Sequence, residues 1–440
     1  MESKVYGTER YFENNEKFGR NYKKKRSENN TGISIAKPKK SHYRSIVILL
    51  ILSSKITTSC SFRSLSKIFA SFNLYLNLEL SSPSVSTTKL WIKKIGYAKL
   101  QSVKEKADDW IIIIDESIGI GQEKVLVILG IRRSKVDFTR PLRLQEMEPI
   151  LVKSREKWTG TDIANELKNV ANKLGKIIYA VSDAGSTLKY GLKKTGIVWV
   201  YDITHAIAII LDKIYRNDEQ FKEFTHNAGQ MRFKNCCSKQ AHLIPPNQRS
   251  KSRFLNIDII SAWGIKALKA YNKNDVSEED RMNLKWVKTI ESFIIEMNLI
   301  MTIVQEISII LKNEGLSKKT MTKCINCLKK CSTGKLLQFK KYMLEYLKEN
   351  TKHIRKYKEK LVCCSDIIET TFGKYKNELS KNPMSGITDM VLIIPAIMSN
   401  LNVASVQNAI DNCTVKDIEV WKKENLCNSL LAKRMTVFKN

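Results

Sequence analysis

Long apolar runs are missing from this 440-residue chain: the most apolar stretches, Ile46 to Leu52 and Ile111 to Ile114, fall far short of the roughly 18 consecutive apolar residues that cross a bilayer. No membrane-spanning helix and no membrane partner are therefore expected. The start, MESKVYGTERYFENN, carries no apolar signal segment, which predicts a cytoplasmic protein whose ten cysteines are reduced thiols. Zinc-type ligand pairing is also lacking. Cys324, Cys327 and Cys331 form a CxxCxxxC run without a second CxxC or a paired His, and a structural zinc needs four ligands. The same spacing fits one helix stripe, so these are read as buried packing cysteines. The adjacent pairs Cys236–Cys237 and Cys363–Cys364 are likewise read as packing residues. Acidic charge is in the minority, with 44 Asp and Glu against 75 Lys and Arg, a net charge of +31 and a pI near 9.6. Such a molecule is drawn to polyanions, and nucleic acid is the leading partner.

What is present suffices for several domains, since the length corresponds to about three and 43% of residues are hydrophobic. Residues 1–40 read as a basic flexible arm, with Lys23–Arg26 and then Lys37, Lys39 and Lys40. Residues 41–105 hold three helical stretches, Ile46–Ser54, Phe62–Phe72 and Thr87–Ile95, punctuated by Pro83 and Gly96. Arg63, Lys67, Lys89, Lys93 and Lys94 make this region basic. Three short helices with a basic last one suggest a helix-turn-helix that enters a major groove; the alternative is a helical cap on the next domain.

Residues 106–215 change grammar. Trp110–Ile114 and Lys124–Ile131 are β-branched runs flanking the glycine-bearing Ser117–Gln122, which predicts an antiparallel pair. A third extended stretch falls at Leu142–Lys153, a helix at Thr161–Leu174 ended by Gly175, a strand at Ile177–Val181, a helix at Ser186–Lys194 ended by Gly196 and a strand at Ile197–Tyr201. The order β-β-β-α-β-α-β implies an α/β fold, a mixed sheet with helices on its faces.

The carboxylates sit where such sheets build sites. Asp115 ends the first strand, Asp183 follows the fourth and Asp202 ends the fifth. A hard cation such as Mg²⁺ takes oxygen ligands, and two ions about 4 Å apart serve in-line phosphoryl transfer. Two aspartates hold such a pair poorly, so a third carboxylate is expected. The segment SDIIETTFGKYK supplies Glu369 on a helix capped by Ser365 or Asp366. Asp202 and His205 form D-x-T-H, read either as groups positioning a scissile phosphate or water or as a helix cap with Thr204. The 186 positions between Asp183 and Glu369 exceed one crossover, so residues 216–360 are assigned to a mainly helical insertion, with helices at Trp263–Tyr271, Met282–Leu311 and Lys335–Leu361. Residues 361–440 return to the core.

The blocks IIIIDES, VSDAGS, WVYDITHA and SDIIETTFGKYKNELS, with the closing WKKENLCNSLLAKR, resemble those of bacterial insertion-sequence transposases of the DDE type. The resemblance runs from about residue 40 to 435. It implies an RNase H-like core with an N-terminal helical DNA-binding domain and a helical insertion domain. It further implies two Mg²⁺ ions, with Mn²⁺ as a substitute: Asp115 bridging both, Asp183 on one and Glu369 on the other. Lys376 stands seven residues after Glu369, where the family often has a DNA-contacting lysine, and Lys374 lies beside it. The family's accompanying tyrosine and arginine are replaced by Val362 and Ser365. In the insertion, Trp263 or Trp286 would stack on an unpaired base. The partners implied are double-stranded DNA, as transposon ends and target, and a second copy of the chain in a homodimer or larger synaptic assembly. A nuclease or junction resolvase with the same core, and a non-catalytic transposase-derived DNA-binding protein, are the alternatives.

Overall fold

Five consecutive side chains, Trp110 to Ile114, are at most 2% exposed, which a strand achieves only when its sheet is covered on both faces. They belong to Ala107–Ile118 (β1), the middle strand in a computed structural model that describes residues 37–39, 41–76, 80–118, 123–248, 254, 257–354, 359–378 and 386–438. Lys23–Arg26 and the turn at 119–122 lie outside these residues. The sheet adds Lys124–Arg132 (β2), Glu148–Arg155 (β3), Gly175–Ser182 (β4) and Trp199–Tyr201 (β5) in the order β3-β2-β1-β4-β5. β1 runs antiparallel to β2 and parallel to β4; β2–β3 is antiparallel and β4–β5 parallel. The fold is thus α/β with a mixed sheet.

The helices are α1 (Ser45–Thr57), α2 (Phe62–Tyr75), α3 (Val85–Gln101), α4 (Gly160–Leu174), α5 (Ser186–Thr195), α6 (Ile203–Tyr215), α7 (Glu219–Asn235), α8 (Ile257–Tyr271), α9 (Glu278–Thr289), α10 (Glu291–Glu314), α11 (Lys318–Cys327), α12 (Gly334–Thr351), α13 (Asp366–Lys376), α14 (Ile393–Ala396), α15 (Val403–Asn412), α16 (Val415–Asn425) and α17 (Leu430–Val437). Two units are distinguished, residues 1–91 with 401–414 and residues 92–400 with 415–440. In the first, α1 buries Val47, Ile48, Ile51 and Leu52 and packs on α2 and α15, while Tyr43 meets Trp91 edge-on at 5.0 Å.

In the second unit, one sheet face carries Ile112, Ile114, Leu126 and Ile128 against Ile163, Leu167 and Val170 of α4 and Leu188 and Leu192 of α5. α13 packs against β1. Between β5 and residue 361 every described element is helical apart from one bridge. That bridge, Leu316 with Leu361, is where the chain returns to the sheet: Val362 N donates to the Tyr179 hydroxyl at 2.8 Å and Ile203 N to Cys363 O at 2.8 Å.

Several elements depart from the sequence reading. Gly96 does not stop a helix; α3 continues to Gln101, and the glycine admits a close approach, since a Cβ there would lie 1.9 Å from the Leu392 carbonyl oxygen. Leu142–Lys153 divides into a 3-10 turn, Leu144–Glu146, and β3. The helix expected over Met282–Leu311 breaks at Ile290 (φ −115°, ψ 28°), and that over Lys335–Leu361 ends at Thr351. Gly175 does end α4, at φ +95°, and Gly196 ends α5 at φ +71°. Cys324, Cys331 and Cys363 are buried, but Cys236 and Cys237 are exposed and not packing residues. Against the expectation of none, α10 is long and apolar enough to cross a membrane by length and composition. Its Met297, Ile300, Ile303 and Ile307 are buried among neighbouring helices, the pattern of a core helix.

Candidate metal centre

Parallel pairing sets the first two carboxylates side by side. Ile113 of β1 is in register with Val181 of β4, so Asp115 and Asp183 come two residues on in adjacent strands; Asp183 follows β4, but Asp115 does not end its strand as expected, since β1 runs on to Ile118 with Asp115 paired to Val127 of β2. Asp115 Oδ1 accepts from Glu116 N at 2.7 Å and Asp183 Oδ1 from Gly185 N at 2.9 Å. The second oxygen of each accepts no hydrogen bond among the described residues. This is the condition a metal ligand needs: one oxygen fixed, one open. Burial, and then the negative charge of Asp183, push the Asp115 carboxyl up to about 7, with a smaller push from Glu369 and opposition from Glu116 N and His205. The like charge of Asp183 thus adds to the cost that burial places on ionising Asp115.

Asp202 closes β5 and, fully buried, caps α6 by accepting from His205 N at 2.8 Å. The cap reading of the sequence therefore holds for Asp202, but Thr204 takes no part in it; its hydroxyl reaches Asp366 at 2.8 Å. Asp202 does more than cap. It also accepts from His205 Nδ1 at 2.8 Å and, through its other oxygen, from Ser365 N at 2.7 Å. The Asp202 contact holds the His205 imidazole up at about 9 against the cost of burial. His205 is thus charged at neutral pH, and its Nε2 lies 3.6 Å from Glu369 Oε1.

Glu369 comes one turn into α13 with 43% of its side chain exposed. Loss of water raises its carboxyl and the His205 charge opposes the rise. Ser365 precedes the helix but its side chain caps nothing; its backbone N–H serves instead, as donor to Asp202. Asp366 pairs with Lys312 at the end of α10, which, against the cost of burial, keeps its carboxyl below the usual range. The structure thus sets Asp115 beside Asp183 and links Asp202 through His205 to Glu369, while Asp115, Asp183 and Glu369 are not among the described groups whose ligand atoms all lie within 4.8 Å of one another. Lys312 and Tyr179 were missed by sequence reasoning, and no motif or spacing marks them; Thr204 was read as part of the Asp202 cap and instead bonds Asp366.

A second acidic cluster, Asp202 with Cys364 and Asp366, brings one ligand atom of each within 4.8 Å of the others. Its oxygens are engaged by Ser365, His205, Thr204 and Lys312, and the Cys364 thiol is pushed well above its ordinary range, first by burial. It is a knot of hydrogen bonds and not a ligand set. Asp115, Asp183 and Glu369 offer only oxygen, two with open positions, which suits Mg²⁺ or Mn²⁺.

The basic residues singled out in the sequence divide. Arg63 and Lys89 are exposed, as is Lys376; Lys94 and Lys374 are half-buried. Lys93 is ion-paired with Asp389 at 2.8 Å, both largely buried. Trp263 stacks on Trp286 at 5.9 Å and donates from Nε1 to Leu243 O at 3.3 Å, so its ring is engaged within the helical region.

No family model matches the chain, and no curated protein matches it. Among solved structures, the Drosophila P element transposase strand transfer complex contains a chain that is similar at 14% identity and a TM-score of 0.43, over 83% of this chain and 94% of that one.

Proposed function

We propose that this protein is a DNA transposase of the DDE type, with an RNase H-like core in which Asp115, Asp183 and Glu369 hold two divalent ions. The observation that supports the reading is the juxtaposition of Asp115 and Asp183 on adjacent parallel strands, with Glu369, 186 residues further along the chain, brought towards them beside His205. Mg²⁺ bound there would supply an activated water or 3′-hydroxyl and stabilise the leaving oxygen of an in-line displacement. Asp115 and Asp183 present fixed oxygens from a rigid sheet. Asp202 holds the His205 imidazolium through Nδ1, and its Nε2 side faces Glu369 and orients it. The surplus of 31 positive charges supports phosphate-backbone binding. Double-stranded DNA, as transposon ends and target, is the substrate on this reading. Two ends must be joined, so a homodimer or larger assembly acts, in the cytoplasm at the nucleoid.

The test uses duplexes carrying the DNA that flanks the coding region, where inverted repeats are expected. Asp115→Asn, Asp183→Asn and Glu369→Gln should each lower Mg²⁺-dependent strand cleavage by about 10²–10³-fold or more while retaining end binding. A covalent joint between target and transposon end distinguishes strand transfer from simple nuclease or resolvase action. Wild-type-like cleavage in all three variants rejects the site.

A further inference from the structure

A groove of about 330 Å³ opens beside the outer strand β5, between α5 and α6 on one side and α12 on the other. Its volume is at the small end of ligand pockets, roughly 300–1,000 Å³. Aromatic rings line it in series: Trp199 meets Tyr201 at 5.3 Å and Tyr201 meets Tyr346 at 6.1 Å, with Tyr342 nearby. Charge is divided between the walls. Lys189 of α5 lies 4.8 Å over the Trp199 ring and Lys213 of α6 lies 5.1 Å over that of Tyr342, whereas α12 contributes Glu345 and Glu349.

The Tyr201 hydroxyl is buried and makes no hydrogen bond among the described residues. Covalently, Tyr201 is the neighbour of Asp202, and in the sheet it pairs with Ser182, next to Asp183. Trp199 Nε1 donates to Ser182 Oγ at 3.0 Å. The groove is thus lined by residues one position from Asp202 and paired with the neighbour of Asp183, although neither aspartate lines it.

We propose that this groove holds unpaired bases of a single DNA strand running into the carboxylate centre. The inference rests on the function proposed above and specifies the state of the substrate. Ring faces take bases of any sequence by stacking, and lysines already poised over those faces move to the phosphates when a base displaces them. Glu345 of α12 repels a backbone on that wall, where Glu349 is paired with Lys352, so the strand enters with its bases inward and its phosphates along α5 and α6. A duplex, whose bases are already stacked, gains nothing from the rings.

Fluorescence anisotropy of a short fluorescein-labelled oligothymidylate, measured without divalent metal on the full chain, tests this. Trp199→Ala and Tyr342→Ala are each expected to weaken oligothymidylate binding roughly 5- to 100-fold and to leave duplex affinity within about twofold. Trp199 also packs against the sheet, so Tyr342→Ala and the exposed Lys189→Gln carry the test if Trp199→Ala fails to fold. Unchanged oligothymidylate affinity in both, or an equal loss for duplex, overturns the proposal. Parallel cleavage assays separate it from the function proposed above. Cleavage by the wild type with unchanged single-strand binding in the variants sinks the groove alone; selective single-strand loss without any Mg²⁺-dependent cleavage keeps the groove and sinks the transposase reading.

Discussion

The hydroxyl of Tyr179, midway along β4, accepts a 2.8 Å hydrogen bond from Val362 N, 183 residues later. Tyr179 is 3% exposed and Val362 7%, so no water replaces either partner. The bond fixes the point at which the chain, returning from its helical region, meets the sheet just before Glu369. Tyr179→Phe removes the acceptor and strands a buried N–H, at a cost of about 1–3 kcal/mol. Chemical denaturation should show that loss, and Mg²⁺ affinity should fall with it because the glutamate's segment loosens. Wild-type stability in Tyr179→Phe means that another acceptor serves Val362.

Asp202 ties the same segment from the other side, through Ser365 N, while holding His205. Asn at this position keeps an acceptor but loses the anion that supports the imidazolium. Asp202→Asn is expected to lower Mg²⁺ affinity or cleavage by about 10–100-fold, as for other groups that orient a metal ligand. The pH dependence follows from His205. Its folded value, about 9, exceeds its ordinary value of 6.5, so the contact's contribution to stability is complete below 6.5 and is lost as pH rises through 9. The stability gap between wild type and Asp202→Asn should therefore narrow from pH 6 to pH 9.5. A gap that widens contradicts the contact.

Strand-forming runs were legible because period and punctuation are local; Asp183 and Asp202 do follow their strands, whereas Asp115 lies inside β1, which pairs with β2 as far as Ile118. Glu369 was legible as a carboxylate at the start of a helix. What couples these parts was not. The Asp202–Ser365 and Tyr179–Val362 bonds use backbone N–H groups, which every residue except proline has, across 163 and 183 positions. Lys312 is one lysine among many until α10 delivers it to Asp366. Gly96 misled for a related reason: glycine marks a helix end when it takes positive φ and a close contact when it does not, and the sequence alone leaves the two uses alike. Cys236 and Cys237 misled because cysteine is usually buried, yet these two follow α7 on an exposed turn.

The Gly96 reading makes a prediction in which two effects oppose. Alanine in a helix interior gains about 1 kcal/mol in propensity over glycine. Here its methyl would lie 1.9 Å from the Leu392 carbonyl oxygen, a backbone atom that cannot rotate away. Overpacking of this kind costs about 1–3 kcal/mol, so Gly96→Ala should lower Tm. A Tm raised above wild type indicates that α3 and the 389–396 segment do not pack this closely.

Asp115 offers a sharper test because the metal role proposed for it and its effect on stability have opposite signs. A carboxyl whose folded value, about 7, lies above its ordinary 3.8 binds protons more tightly in the folded state. Stability therefore falls as pH rises from about 4 to 7, and the penalty is complete above 7. Without divalent ions at pH 8, Asp115→Asn should be more stable than wild type by roughly 1–3 kcal/mol, after allowance for the partly exposed carboxyl; at pH 5 the advantage should shrink. Millimolar Mg²⁺ neutralises the Asp115–Asp183 repulsion and should raise the wild-type Tm at pH 8 while leaving that of Asp115→Asn nearly unchanged. Thermal scans of both proteins at the two pH values, with and without Mg²⁺, separate the possibilities. If the variant is the less stable protein at pH 8 without metal, Asp115 serves the fold and not an ion. If both gain equally from Mg²⁺, the ion binds elsewhere.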